Sequence, residues 1–198
     1  MPSARTTRAA TQARSQILDE LKEDHKRVKK AYRQFQKLDV EQDSEEIEAL
    51  VNEVLDELSV HAALEEELLY PAARNALSDE DLIDEAEVEH ESMHTFIDQL
   101  RSLSPDDDKY SARFTVLCEY VMHHVKEEEG EMFPKLENAR LDWEGLAADM
   151  MQRRTELTGG EATADEGQGE TEVAEVAAEE TPPPAARKSG SGSRTRAS

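Results

Sequence analysis

HAALEEELLYPAARNA, residues 61–76, and HVKEEEGEMFPKLENA, residues 124–139, are one phrase written twice. In each, a histidine is followed by glutamate at +4, an aromatic residue at +9, proline at +10 and Asn-Ala at +14. Side chains four apart lie above one another on one helix face. His61 with Glu65, and His124 with Glu128, therefore each present an imidazole and a carboxylate together. Two such pairs in one chain point to one shared site.

Apolar periodicity extends the phrases into helices. Leu18, Leu21, His25, Val28, Tyr32 and Phe35 step by three and four, as do Ile47, Val51, Val54, Leu58, His61, Glu65, Leu68 and Ala72. A third stripe runs Ile83, Ala86, His90, Met93, Ile97 and Leu100, and a fourth Phe114, Leu117, Val121, His124 and Glu128. Breakers at Asp39 to Ser44, Asn75 to Asp81 and Ser104 to Asp108 leave short loops, so successive helices are antiparallel neighbours. The expected fold is all-α, an up-down-up-down four-helix bundle over residues 15–157. A short amphipathic fifth helix, with Leu141, Leu146, Met150 and Leu157, Asp142 as its cap and Trp143 near its start, is expected to cover an end of it, with pairing to another subunit as the alternative. Pro71 and Pro134 are expected to kink or end their helices just beyond the His-Glu pairs.

The flanks differ from this core. Residues 1–14 are rich in Arg, Ser and Thr and read as a disordered arm. Residues 158–198 run from an acidic stretch into TPPPAARKSGSGSRTRAS and bury too little apolar surface to order themselves. That tail is a candidate docking segment for a protein partner. With 46 acidic against 23 basic residues and a net charge of -23, the chain is no partner for a nucleic-acid backbone, which needs clustered Lys and Arg. The single cysteine, Cys118, leaves no internal disulfide and reads as a packed small side chain in a reducing, cytoplasmic setting. No run is apolar enough to span a bilayer.

The stripes also pair up. His25 lies 36 residues before His61 and His90 lies 34 before His124, so each half is a helix with one inward His followed by a helix with His-x3-Glu. A lone seam histidine is ordinarily a satisfied core residue, but an ionised glutamate on a seam is costly unless paired or bound to metal. Repetition of both leaves a metal centre or a buried polar network. Five candidate histidines and two glutamates exceed a tetrahedral zinc site, and mixed imidazole and carboxylate donors suit iron ahead of manganese. The ferritin-like alternative needs Glu-x-x-His on each of two helices, whereas Glu87 with His90 supplies it on one helix alone.

His25, HAALEEELLYP, the EHESMH stretch and HHVKEEEGEMFP together resemble the hemerythrin-like, or HHE cation-binding, domain family over about residues 15–157. The resemblance implies a four-helix bundle holding a non-haem di-iron centre with two bridging carboxylates. By position, His25 and His61 bind one iron, His90, His94 and His124 the other, and Glu65 and Glu128 bridge. The two-histidine iron then keeps a place open for O2 or another small diatomic or peroxide ligand, with Leu58, Leu68, Val121 and Phe35 keeping the pocket dry. Oxygen or iron sensing, storage or delivery follows as the expected function. The alternatives are a di-iron enzyme acting on peroxide or nitric oxide, and an interaction protein with a structural metal core. His123 sits about 100° from the seam and faces solvent. Glu66, Glu67, Glu127 and Glu129 read as a solvated face, and Tyr70 and Phe133 as packing, with a hydrogen bond from Tyr70 to the centre as the other option.

Overall fold

The computed structural model describes residues 7–77 and 80–160, and among these every regular element is a helix. Helix α1 spans Arg8–Phe35. Helix α2 runs Ser44–Leu64, continues through a wide turn at Glu65–Leu69 and ends with Tyr70–Ala76. Helix α3 spans Glu80–Ser102. Helix α4 repeats the plan of α2 with Tyr110–Glu127, a wide turn Glu128–Met132 and Phe133–Glu137. Helix α5 spans Trp143–Leu157. Helix α1 packs on α2 and α4, and α3 on the same two, which closes the four-helix ring. None of the described helices is long and apolar enough to cross a membrane.

The inward stripes meet as two apolar clusters. One holds Val28, Phe35, Val54, Leu58, Met93, Ile97, Phe114 and Val121; the other holds Leu18, Leu21, Leu69, Ala73, Ile83, Met132, Phe133 and Leu136. His25, His61, Glu65, His90, His124 and Glu128 are buried as well. On α1, His25 lies between Leu21 of one cluster and Val28 of the other, so the polar residues form a layer within the bundle. Cys118 is fully buried in the first cluster, and burial pushes its thiol pKa up.

Helix α5 lies along α1 and α2. Asp142 caps it by accepting from the Gly145 N–H at 3.1 Å, and a Cβ at Gly145 would come within 2.7 Å of Asp142 Oδ2, so glycine lets the cap close. Trp143, Leu146 and Met150 bury themselves in the second cluster.

Two expectations are corrected. The disordered arm assigned to residues 1–14 is helical from Arg8: Thr7 Oγ1 accepts from the Ala10 N–H at 3.0 Å, Ala10 and Ala13 pack on the second cluster, and Arg14 donates to the Glu137 carbonyl. Polar composition hid a capped helix start. Residues 1–6, and the expected tail beyond residue 160, lie outside the described residues.

Neither proline ends its helix: the helical backbone continues past Pro71 to Ala76 and past Pro134 to Glu137. The Tyr70 N–H bonds the Glu65 carbonyl and the Phe133 N–H bonds the Glu128 carbonyl, each five residues back instead of four. These are π turns. Each stands directly before a proline, which has no N–H to demand the regular four-residue bond. One extra residue in the turn moves the stripe on by one place. Leu68 and Ala72 were expected inside and are half-buried, while Leu69 and Ala73 are fully buried. At both helix ends an asparagine, Asn75 or Asn138, donates from Nδ2 to the carbonyl of the proline four back, each at 2.8 Å.

Candidate metal centre

Four helices each send one imidazole into the polar layer, and α2 and α4 add one carboxylate each from the first residue of the π turn. His25 Nε2 and His61 Nε2 stand 3.2 Å apart, and His90 Nε2 and His124 Nε2 3.1 Å apart. Glu65 Oε2 lies 3.1 Å from His61 Nε2 and 3.5 Å from His90 Nε2. Glu128 Oε2 lies 3.3 Å from both His25 Nε2 and His124 Nε2. Each glutamate thus faces a histidine of both pairs. Ligand atoms from His25, His61, Glu65 and Glu128 fall within 4.8 Å of one another, as do those from Glu65, His90 and His124.

Behind every imidazole stands a carboxylate. Nδ1 of His25 faces Glu129 at 2.9 Å, Nδ1 of His61 faces Asp24 at 3.2 Å, Nδ1 of His90 faces Glu66 at 2.8 Å and Nδ1 of His124 faces Glu89 at 2.7 Å. An ionised carboxylate only accepts, so each Nδ1 carries the hydrogen and each neutral imidazole turns a bare Nε2 inward. The pattern obeys the duplication: the residue before the His of α1 or α3 supports the His of the following helix, and the residue after Glu65 or Glu128 supports the His of α3 or α1. Asp24 is itself gripped by Arg154 of α5, at 2.7 Å and 3.2 Å, and by Arg27. Burial works against its charge, yet the hydrogen bonds from His61 and Arg154 hold its pKa well below the carboxylate range.

These donors fit a pair of cations. Two bare imidazole nitrogens do not rest 3.1–3.2 Å apart without a proton or a cation between them. Glu65 Oε1 and Glu128 Oε2 are buried and accept no hydrogen bond, a costly condition for a carboxylate. The Tyr70 hydroxyl has one hydrogen and three acceptors around it: His90 Nε2 at 3.0 Å, Glu128 Oε1 at 3.1 Å and Glu65 Oε2 at 3.3 Å. Acceptors outnumber hydrogens throughout the layer. Without metal, protons must fill the gap. Burial opposes charge on His124, but the Glu128 carboxylate and the bonds to Glu128 and Glu89 outweigh it and push its pKa up to about 10. His61 is raised well above its ordinary value in the same way, burial being overcome by Glu65 and Asp24.

Six of the seven residues singled out from the sequence, His25, His61, Glu65, His90, His124 and Glu128, converge. His94 stands apart: its side chain is 44 % exposed and its Nε2 lies 2.8 Å from Glu66 Oε1, the oxygen that also faces His90 Nδ1. Lys29, at the matching place in the first half, does the same for Glu129 at 3.0 Å. His123 is 56 % exposed, on the solvent side as its spacing indicated. Asp24 and Glu89 went unnoticed in the sequence, and Glu66 and Glu129 had been read as solvated. The signal for the first two was available, since each directly precedes a seam histidine, as Asp-His and Glu-His.

Beside the His25, His61 and His124 rings lies a cavity of about 10 Å³, lined by Val28, Leu58, Met93, Ile97 and Val121 with His94 at its edge. That is room for about one water molecule. Leu58 and Val121 line it as expected, whereas Leu68 packs half-buried against the second cluster and Phe35 packs elsewhere in the first.

Comparison with known proteins agrees with this architecture. A family model described as the hemerythrin HHE cation binding domain matches residues 16–136. The crystal structure of a hemerythrin HHE cation binding domain-containing protein from Mycobacterium kansasii superposes with a TM-score of 0.58 at 29% identity, over 70% of this chain and 85% of that one. A protein named DNA nickase from Nostoc sp. is 29% identical over 122 residues, which is 62% of this chain and 34% of the nickase. The chain therefore spans about a third of the length of that relative.

Proposed function

Because the chain belongs to the hemerythrin HHE cation-binding domain family, we propose that its buried layer holds two iron ions and, through them, O2 or a related small molecule. The observation that carries this reading is the convergence of four inward Nε2 atoms on two carboxylates that each face both histidine pairs. Bound there, two iron ions would supply reversible electron transfer and open positions for a diatomic ligand.

The protein's own part is to position and to exclude. His25, His61, His90 and His124 are each fixed in one tautomer by the carboxylate at Nδ1, which also strengthens Nε2 as a donor. Val28, Leu58, Met93, Ile97 and Val121 give the cavity apolar walls and limit its occupant to a molecule of a few atoms. Oxygen or iron sensing, storage or delivery fits a site this small and dry. The net charge of -23 opposes a nucleic-acid partner, so the activity in the nickase relative's name is not carried over to this chain.

One observation favours enzymatic turnover of peroxide or nitric oxide as a second reading. The Tyr70 hydroxyl, kept protonated by burial and by the charges of Glu128 and Glu65, stands at the centre as a hydrogen-bond donor to oxygen atoms brought into the layer. Metal analysis and anaerobic and aerobic visible spectra of the iron-loaded full chain test the proposal. Two irons per chain and bands that form with O2 and vanish on deoxygenation support binding. Peroxide or nitric-oxide turnover that Tyr70→Phe removes while iron is retained supports the enzyme. A chain that gains neither iron nor thermal stability on iron addition overturns both.

A further inference from the structure

On the outer side of α3 and α4, Glu89, His123 and Glu127 bring one ligand atom each within 4.8 Å of one another. The Glu89 carboxylate has two faces. Its Oε2 receives the His124 Nδ1–H at 2.7 Å, whereas Oε1 points outward, 3.7 Å from His123 Nε2 and beyond hydrogen-bond reach. His123 Nε2 in turn lies 3.2 Å from Glu127 Oε1. Glu89 is only 7 % exposed, so a nearly buried carboxylate oxygen is aimed into a cluster that is otherwise open to solvent.

Comparison of the two halves shows what this oxygen lacks. Asp24 occupies the matching place on α1, and two guanidinium groups, Arg27 and Arg154, neutralise it. Three residues after Glu89, where Arg27 would have its counterpart, stands Ser92, whose hydroxyl is spent on the Val88 carbonyl. Instead of arginine the second half offers an imidazole and a further carboxylate. Two carboxylates converging beside one imidazole, with no guanidinium among them, form a ligand set suited to a cation.

We propose that Glu89, His123 and Glu127 form an outer site for a divalent transition-metal cation, separate from the buried centre. One nitrogen and two oxygens, with water completing the shell, suit Fe2+, Mn2+, Co2+ or Zn2+. His123 is exposed and Glu127 half-buried, while Glu89 is held in place by His124. The site exchanges its ion with solvent and binds it more weakly than the enclosed layer.

Equilibrium dialysis of the metal-free full chain against Co2+ tests this, with His123→Ala and Glu127→Gln beside the wild type. Both substitutions lie at the surface, and an unchanged helical circular dichroism spectrum checks folding. The expected result is one Co2+ fewer per chain in His123→Ala and at least tenfold weaker binding of that ion in Glu127→Gln. Equal stoichiometry and equal affinity in all three proteins would overturn the site. Should the buried layer take up no metal, the wild type binds one Co2+ and His123→Ala none, so the outer site stands while the di-iron reading falls.

Discussion

Tyr70 and Phe133 hold matching places in the two phrases, yet the Tyr70 hydroxyl enters the polar layer, 3.0 Å from His90 Nε2, while the Phe133 ring lies parallel to His25 with centroids 6.0 Å apart. One half of the centre thus has a hydroxyl where the other has an apolar wall. Replacing Tyr70 by Phe removes the hydrogen shared among Glu65, Glu128 and His90 without changing the packing volume much. Leaving buried acceptors unpaired costs about 1–3 kcal/mol. We expect metal-free Tyr70→Phe to be less stable by that amount in urea titrations, with a smaller loss once metal occupies the layer. Equal losses with and without metal would show that the hydroxyl is not serving the carboxylates.

The π turn makes a prediction about packing alone. Leu69 is fully buried and Leu68 half-buried, the reverse of what an unbroken four-residue rhythm dictates. Leu69→Ala should cost about 2–5 kcal/mol, the usual range for emptying a core leucine site. Leu68→Ala should cost clearly less. Thermal or chemical denaturation of the pair decides the register, and a costlier Leu68→Ala would mean that α2 runs through Glu65 as a regular helix.

Helix α5 lies beyond the segment that the family model matches, yet Arg154 reaches the carboxylate that orients His61. Loss of a group that orients a metal ligand through its hydrogen bond typically weakens metal affinity about 10- to 100-fold. Arg154→Ala should show such a loss of metal affinity in competition with a chelator. Its neighbour Arg153 pairs with half-exposed Glu67 at 2.7 Å, away from the layer. Arg153→Ala is the control and should leave both affinity and stability unchanged. Matching effects from the two variants would reduce α5 to a simple packing element.

The bundle and the six converging side chains were legible because burial of a repeated His-x3-Glu pair writes itself as periodicity. His25, His90 and Val121 lie where the count of three and four puts them. Beyond Glu65 the count failed, since a π turn adds a residue without leaving any mark in the hydrophobic pattern; only the two following prolines hint at it. The one mark that Asp24 and Glu89 leave in the sequence is their place directly before a seam histidine. Their burial depends on neighbours from other helices, Arg154 and His124, and no single-helix stripe contains that information. His94 looked like an unmatched ligand because Lys29 is a different residue type, although both present a nitrogen to the oxygen that supports a seam histidine.

Protonation of the empty layer gives the last test. The folded-state pKa of His124 is pushed up to about 10 and that of His61 is raised as well, both above the ordinary histidine value of 6.5. A raised value means that the folded state holds the proton more tightly than the unfolded chain does. The resulting stabilisation is complete below pH 6.5 and is lost as pH climbs towards 10. Metal-free protein should therefore lose stability between those limits, and His124→Asn should flatten much of the slope. Metal binding needs the bare imidazole, so loading at neutral pH should release protons into a weakly buffered solution. Denaturation midpoints at several pH values, together with a pH-indicator dye during metal addition, read both effects. A metal-free chain whose stability is level from neutral to alkaline pH, and metal uptake without acid release, would mean that the layer balances its charge by some other arrangement of protons.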